Sequence, residues 1–272
     1  SIIEQKKYKE VSSVNHFYYK SLKLQFFSAN FIMVFMKPAL YLIPNKLGEN
    51  TEIESVIPTK NIETVKNIRH FIVESRKCAV RFLIELDKNF PIDECTFTEL
   101  SEHTDEKKDL SKILSFLEKG EPMGVLSDAG CPAVGDPGSR AVEIAHKKNL
   151  EVIPLTGPNS MIMAIMASGF NGQNFAFNGY LPVKNGERES KLKQLENRMY
   201  KEDQTQLFIE TPYRNEKMFE AILRICRPET KLCVAAGITT EKQFIKTKTI
   251  AQWKKTQKPE LSKIPAMFLI YK

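Results

Sequence analysis

The sequence predicts an α/β fold in which strands alternate with helices. Short apolar runs that stop at turn residues indicate strands, and stretches with apolar residues at helical spacing follow them. A third observation is the loop at 128–138, which holds three glycines, two prolines and two aspartates between a strand pattern and a helix pattern. This alternation is typical of βαβ units and a mostly parallel sheet.

Residues 39–168 carry five strand signals and five helix signals. Leu110, Ile113 and Leu117 repeat at helical spacing, and Gly120 follows as a helix-ending residue. Ser139 is predicted to cap the helix that begins after it. The predicted strands lie at 39–44, 70–73, 96–100, 125–126 and 152–155, and the predicted helices at 61–68, 78–86, 105–119, 140–148 and 161–168.

The alternation continues more loosely after Gly169, which is predicted to close the helix before it. A strongly charged stretch predicts a solvated helix beside a loop. We place a domain boundary where Gly157 and Pro158 interrupt the chain, so the expected domains are 36–156 and 157–272. The later elements are predicted as strands at 207–210, 231–235 and 266–271, and as helices within 185–203 and at 215–226.

The first 35 residues differ in composition from the rest of the chain. Their apolar run, 26–35, is only ten residues long, whereas a membrane span needs about twenty. The small-residue cleavage site of a signal peptide is absent. Met36 opens a stretch typical of a globular domain. We therefore expect residues 1–35 to be a leader outside the core, either an upstream translation or a flexible arm.

Charge, cysteine content and missing motifs narrow the function classes. The formal net charge of +7 and the pI near 9.0 favour a polyanionic partner, although an ordinary basic surface fits as well. Five cysteines without a CxxC pair, and four scattered histidines, predict reduced thiols, a cytoplasmic protein and no metal site. No membrane association is expected. Walker A, GxGxxG and GxSxG motifs are absent.

Two loops follow consecutive predicted strands at one edge of the predicted sheet. The loops at 128–138 and 156–160 would face one crevice if their strands are parallel neighbours. Their glycines let main chain approach a ligand, and their prolines lower the entropy cost of ordering. Asn159 and Ser160 lie at a helix N-terminus, which favours an anion. The crevice suits a zwitterionic ligand that carries a nucleoside, although two ordinary turns would have the same composition.

Several stretches of the sequence resemble the tetrapyrrole-methylase-like superfamily of S-adenosylmethionine-dependent methyltransferases. The branch they resemble most is that of ribosomal RNA small-subunit methyltransferase I. The first loop, SDAGCPAVGDPG, is similar to the family's SDAGTPxxSDPG, and IPLTGPNS is similar to PxPGPxA. Three further stretches match in the family's order, namely LYLIPNKLGEN at 40–50, FNGYLPVK at 177–184 and ETPYR at 210–214.

The resemblance implies two α/β domains with the cofactor in the cleft between them. The N-terminal domain would contain a mostly parallel sheet, the C-terminal domain a mixed sheet, and the protein would be a homodimer. The cofactor would be S-adenosyl-L-methionine, and the acceptor a ribose 2′-hydroxyl of ribosomal RNA or of the small ribosomal subunit. Carried over residue by residue, the cofactor contacts would be Asp128, Ala129, Gly130, Asp136, Pro137, Gly157, Pro158, Asn159 and Ser160.

Candidate catalytic and substrate-binding residues follow from residue type within these motifs. A ribose hydroxyl is a poor nucleophile, so Glu74 or Glu210 is expected to act as base, with Arg214 beside the cleft. Pro44 would border the substrate side. For each carboxylate, an ordinary salt bridge is the alternative. Three further residues are expected to contact the RNA. Tyr213 would stack on a base, and Lys184 and Arg188 would bind phosphates.

The sequence departs from the family pattern mainly on the substrate side. Asn45 and Lys46 replace Thr-Pro in the first motif, AEDTR becomes VESRK, and RELTK becomes AGITT at 236–240. The motifs therefore support the prediction of methyl transfer more strongly than the prediction of which molecule accepts the methyl group. One alternative is a methyltransferase of a tetrapyrrole-like small molecule or a protein side chain, and another is a non-catalytic binder of RNA or nucleotides.

Overall fold

Two five-stranded sheets and nine helices make up the described part of the chain. The computed structural model describes residues 36–100, 110, 112–136 and 138–272. The strands are β1 (Leu40–Ile43), β2 (His70–Val73), β3 (Thr96–Glu99), β4 (Met123–Leu126), β5 (Val152–Pro154), β6 (Phe175–Tyr180), β7 (Thr205–Ile209), β8 (Lys231–Ala236), β9 (Phe244–Thr249) and β10 (Ala266–Tyr271). The helices are α1 (Ile53–Val56), α2 (Thr59–Val65), α3 (Arg76–Leu86), α4 (Ser115–Glu118), α5 (Ser139–Lys147), α6 (Ser160–Ser168), α7 (Asn185–Glu202), α8 (Asn215–Ile225) and α9 (Ile250–Trp253).

The first sheet is parallel throughout and has the strand order β3-β2-β4-β1-β5. The predicted parallel sheet is therefore confirmed. The two strands that carry the glycine- and proline-rich loops, β4 and β5, are not neighbours as the sequence analysis supposed. Strand β1 lies between them and pairs with both, because the crossover through α5 passes over one strand. Three loops, rather than two, consequently meet at this edge of the sheet.

The second sheet is mixed and has the order β6-β7-β10-β8-β9. Strands β6 and β7 are parallel, whereas β10 runs antiparallel to both β7 and β8, and β9 antiparallel to β8. This arrangement confirms the mixed sheet that the family resemblance implied. Strand β9 is an edge strand, with Lys246 opposite Val234 and Lys248 opposite Leu232.

Helices cover both faces of the second sheet, and one of these helices comes directly after the last strand of the first sheet. Helices α7 and α8 cover one face, where Phe208, Phe219 and Phe268 are fully or almost fully buried. Helix α6 covers the other face through Ala164 and Ile165. Because α6 directly follows β5 of the first sheet, the loop at 156–160 runs from one sheet to the other.

Most predicted elements are present, and a few details are corrected. Helix α5 begins at Ser139, so its N-cap is Gly138 and no side chain caps it. Gly120 and Gly169 both have positive φ, as helix-ending residues do. The charged stretch forms one continuous helix, α7. Of the helix predicted at 105–119, residues 105–109 and 111 lie outside the described residues, and the described part is helical only in α4.

Two strands, β6 and β9, are absent from the sequence prediction for physical reasons. Strand β6 contains an Asn-Gly pair and an irregular register with β7, which a regular apolar run would not show. Strand β9 has lysines at alternate positions, as edge strands often do. The proposed domain boundary stays a prediction, and the leader at 1–35 lies outside the described residues. No helix in the described ranges is long and apolar enough to cross a membrane.

Candidate active site

A cavity of about 970 Å³ lies between the carboxyl edge of the first sheet and the second sheet. The loops after β1, β4 and β5 form one side of the cavity, and residues at the ends of β7, β8 and β10 form the other. The first side is lined by Leu47, Gly48, Glu49, Asn50, Ala129, Gly130, Cys131, Val134, Asn159, Ser160 and Met161. The second side includes Tyr180, Ile209, Glu210, Ala235, Gly237, Ile238, Thr240, Lys242, Lys263 and Met267.

Asn45 joins the loop after β1 to the loop after β4. Its main-chain N–H donates to the Gly130 carbonyl at 2.8 Å, and the Gly130 N–H donates back to the Asn45 carbonyl at 3.1 Å. The buried Asn45 side-chain amide also donates to the carbonyls of Ser127 and Asp128, each at 3.2 Å. Four hydrogen bonds from or to Asn45 thus fix the beginning of the glycine-rich loop, and the Ser127 hydroxyl donates to the Gly130 carbonyl at 3.2 Å as well.

Two glycines allow the three loops to pack closely. A Cβ atom at Gly157 would lie 2.3 Å from Cβ and Cγ of Pro44, so only glycine fits against that proline. Gly130 has a φ of 70°, a conformation that favours glycine. A Cβ atom at this position would lie 3.2 Å from Leu47 Cδ2 and 3.7 Å from the Pro158 carbonyl oxygen. Pro44 is therefore buried behind Gly157 and, with Gly157 and Pro158, is not among the residues that line the cavity.

Asp136 shapes the loop after β4 instead of facing the cavity. Its Oδ1 accepts hydrogen bonds from the N–H groups of Ala133, at 3.0 Å, and Gly138, at 2.7 Å. Ala133 has a φ of 66°, which is unusual for a residue with a side chain. The carboxylate therefore supports a strained turn. Pro137, the remaining cofactor candidate of this loop, lies outside the described residues.

The carboxyl group of Asp128 points toward the beginning of α3 and away from the large cavity. It accepts hydrogen bonds from the Cys78 thiol and the Ser75 main chain, and it borders a separate cavity of about 180 Å³. Burial of the carboxyl group raises the pKa of Asp128 above its ordinary value, and the two hydrogen bonds partly offset this effect. In this conformation Ala129 and Gly130 reach the cofactor cavity, whereas the Asp128 side chain does not.

The loop after β5 presents a capped helix end to the cavity. Asn159 is the N-cap of α6, and its Oδ1 accepts hydrogen bonds from the N–H groups of Met161 and Ile162 at 3.0 and 3.1 Å. Two of the helix N–H groups that could bind an anion are thus already paired. Asn159 and Ser160 nevertheless line the cavity, as the sequence analysis expected of cofactor contacts.

The two candidate bases occupy different positions. Glu74 accepts a hydrogen bond from the Asp128 N–H at 3.3 Å and supports the loop after β4 from behind. Glu210 lines the cavity although the residue is only 4% exposed. Its Oε1 accepts hydrogen bonds from Arg214 Nε and Nη2, at 3.0 and 2.8 Å, and from the Thr211 N–H at 2.6 Å. Its Oε2 is buried and has no partner within the described residues.

The predicted RNA contacts are divided between the surface and the interior. Lys184 is exposed and pairs with Glu187 at 3.3 Å. Tyr213 is 79% exposed, on a turn of 3₁₀-helix at 212–214. Arg188 is only 5% exposed, and its guanidinium donates to the Val183 carbonyl and the Asn185 side chain. Its side chain therefore does not present a free guanidinium to phosphate in this conformation.

The cavity has a wall that the sequence analysis missed. It forms where the loop after β1 meets the turn between β8 and β9. Thr51 Oγ1 donates to the Thr239 carbonyl at 2.9 Å, and a Cβ atom at Gly48 would lie 2.3 Å from Thr240 Cγ2. Thr239 itself has a φ of 69°, which is strained for a β-branched residue. These segments, PNKLGEN and AGITT, are two of those in which the chain departs from the family pattern.

The fold resembles that of two solved methyltransferases. The crystal structure of the methyltransferase CobJ matches with a TM-score of 0.54 and 15% identity, over 86% of this chain and 93% of that one. The uroporphyrin-III-C-methyltransferase from Thermus thermophilus matches with a TM-score of 0.51 and 13% identity, over 86% and 94%. These likenesses confirm the predicted fold class. No family model matches the chain.

Several proteins that are similar to this chain in sequence have the same name. The Buchnera aphidicola (subsp. Schizaphis graminum) protein called ribosomal RNA small subunit methyltransferase I is 29% identical over 239 residues, which is 85% of this chain and 77% of that protein. Relatives from Vibrio cholerae and Escherichia coli carry the same name. Over most of its length the chain is therefore similar to proteins named ribosomal RNA small subunit methyltransferase I. Its predicted resemblance to the methyltransferase I branch is confirmed.

Replacing Asn45 with alanine should loosen the junction of the loops. The carbonyls of Ser127 and Asp128 would lose a buried donor, so we expect the free energy of unfolding to fall by about 1–3 kcal/mol. Asn45→Asp should cost at least as much, because a carboxylate would face those two carbonyls. Denaturant unfolding checks this, with the exposed Asn67→Ala as control. An Asn45→Ala protein as stable as the Asn67→Ala protein would contradict the role of the junction.

Proposed function

We propose that this methyltransferase transfers the methyl group of S-adenosylmethionine to a ribose 2′-hydroxyl of RNA in the small ribosomal subunit. The names of the relatives support the acceptor class, since they act on small-subunit ribosomal RNA by name. The observation that carries the chemistry is the cavity itself, which combines glycine-rich main chain on one side with the unpartnered Oε2 of Glu210 on the other.

The residues that line the first side fit an adenosyl ligand. The volume of about 970 Å³ lies at the upper end of the range for small-molecule sites. Ala129 and Gly130 leave main chain open to a ligand, and Asn159 and Ser160 add polar groups nearby. When bound, S-adenosylmethionine supplies a methyl group that is already activated by its sulfonium. The protein then has to bind the two substrates, orient the acceptor toward the methyl group and exclude water.

Glu210 is the better placed of the two candidate bases. Its Oε2 is buried beside the cavity, so an acceptor hydroxyl that reached this oxygen would donate its proton there, while Arg214 and the Thr211 N–H hold Oε1 in place. Base catalysis of this kind typically contributes about 10²–10⁴-fold. Alignment of the acceptor with the methyl group can contribute roughly 7–11 kcal/mol more. Arg214 thus acts as a positioning residue through Glu210.

Gly130→Val should abolish binding of the demethylated product, S-adenosylhomocysteine. A valine would fill the space next to Leu47 and resist the φ of 70°. Isothermal calorimetry should detect no binding heat, whereas the control Gly186→Val, at an open position of α7, should bind as the wild type does. Circular dichroism verifies that both variants are folded. A folded Gly130→Val protein with wild-type affinity would place the ligand elsewhere.

Glu210→Gln should lower methyl transfer about 10²–10⁴-fold while the affinity for S-adenosylhomocysteine stays within a few-fold. The assay measures labelled methyl incorporation into small-subunit particles from a strain that lacks this protein. The exposed Glu216→Gln, on the neighbouring helix, serves as the matched control. Equal activity of both variants would exclude Glu210 as the base.

The same assay separates the three function classes. Tetrapyrrole-containing extracts and bulk protein are offered in parallel with the ribosomal particles. Labelling of either, without labelling of the particles, would replace RNA as the acceptor. Binding of RNA without transfer to any acceptor would favour a non-catalytic binder.

We also propose that the protein is a homodimer, as the family resemblance implies. Three apolar side chains, Val134, Ile162 and Met166, are exposed on the loop after β4 and on α6, and Met166 is 77% exposed. A second copy that covered them would remove this apolar surface from water.

Light scattering at micromolar concentration should then give about twice the chain mass of 31.2 kDa. Met166→Glu should give a monomer, whereas Ile84→Glu on α3 should not. A monomeric wild type would contradict the proposal.

A further inference from the structure

The positive charge of the chain is concentrated at its C-terminal end. Residues 231–272 contain nine lysines, no arginine and only two acidic residues, both glutamates. Their formal charge of +7 equals that of the whole chain, so the first 230 residues are neutral overall. The mildly basic chain therefore consists of a strongly basic C-terminal segment and a preceding segment in which positive and negative charges are equal in number.

The second sheet places many of these lysines along one edge. Lys246 and Lys248 alternate on β9, so both side chains lie on the same face of the edge strand, about 7 Å apart. Lys254 and Lys255 follow directly after α9 and are exposed. Lys248 also lies over the Trp253 ring, with its Nζ 5.0 Å from the ring centroid. We call these four residues, together with Lys242 and Lys263, the basic edge.

The basic edge continues to the mouth of the cavity. Lys242, in the turn before β9, and Lys263, before β10, both line the cavity. The Lys263 N–H donates to the Pro212 carbonyl at 3.3 Å, which places this lysine beside the exposed Tyr213. Phe244, itself 36% exposed, lies between Lys242 and Lys246 in the sequence. Cations and exposed aromatic rings thus follow each other from the cavity outward.

Most of these charges are not neutralised by the protein. In the part of the chain that the structure describes, no ion pair involves Lys242, Lys246, Lys254, Lys255 or Lys263. By contrast, Lys258 pairs with Glu220, and Lys272 with Asp203. Protection of an edge strand against aggregation explains lysines within β9. It does not explain those before and after the strand, which present no unpaired sheet edge.

We propose that the basic edge binds the phosphate backbone of the RNA whose acceptor nucleotide enters the cavity. This inference rests on the proposed function for its substrate, but it concerns where the RNA is held rather than what is methylated. Single-stranded RNA fits this surface because lysines contact its phosphates and Phe244 and Tyr213 offer faces for its bases. This surface is distinct from the phosphate contacts predicted at Lys184 and Arg188 near the beginning of α7, of which Arg188 is buried and Lys184 is exposed.

The test compares two triple variants with the same change in charge. The first is Lys246→Gln, Lys254→Gln and Lys255→Gln on the basic edge. The control is Lys88→Gln, Lys112→Gln and Lys217→Gln, three exposed lysines outside it. Fluorescence anisotropy measures binding of a single-stranded RNA oligonucleotide at several salt concentrations. Calorimetry with S-adenosylhomocysteine verifies that each protein keeps its cofactor site.

We expect the basic-edge variant to bind RNA roughly tenfold more weakly and to reduce the slope of log affinity against log salt by about 2. The control should change affinity by less than about threefold, and neither should alter the binding of S-adenosylhomocysteine. Equal losses in both variants would show that net charge alone matters and would overturn the proposal. So would unchanged RNA binding by the basic-edge variant, or lysine-dependent binding to anionic phospholipid vesicles without RNA binding.

The binding assay is independent of methyl transfer. If the wild type bound RNA through the basic edge and yet labelled no ribosomal particle, the proposed acceptor would be wrong and the surface would stand. If transfer to RNA occurred and the basic-edge variant bound normally, the surface would be wrong and the proposed function would stand.

Discussion

The pair of main-chain hydrogen bonds between Asn45 and Gly130 is the constraint on which the site depends. It ties the end of β1 to the beginning of the loop after β4, and the Asn45 side chain holds two further carbonyls of that loop. Gly157 then brings the loop after β5 against Pro44. Since β1 lies between β4 and β5, the end of this one strand positions all three loops.

The same strand end also connects the two sheets. Beyond Asn45 the chain continues through Gly48 to Thr51, which contacts Thr239 and Thr240 in the turn after β8. Both segments depart from the family pattern, and they meet at the wall of the cavity. Two of the departures from the family pattern therefore lie at one contact. Gly48 and Thr240 both line the cavity, so the two segments jointly shape this wall of the site.

Hydrophobic periodicity predicted the strands and helices that form each core, because burial imposes that period on the sequence. It could not predict β9, whose lysines suit an exposed edge, or the position of β1 between β4 and β5, which depends on contacts distant in sequence. The glycine-rich loops were recognised from composition, but the direction of each side chain was not. Asp128 turns toward α3, Asp136 supports its own loop and Arg188 is buried, whereas Glu210 alone of the two candidate bases faces the cavity.

The most direct test of this account is a crystal structure of the protein with S-adenosylhomocysteine. The ligand should lie against the main chain of Ala129 and Gly130 and beside Asn159 and Ser160. Its sulfur should face the side of the cavity that contains Glu210, and the hydrogen bonds between Asn45 and Gly130 should be retained. A ligand bound outside this cavity, for instance in the smaller one beside Asp128 and Cys78, would contradict the assignment of the site.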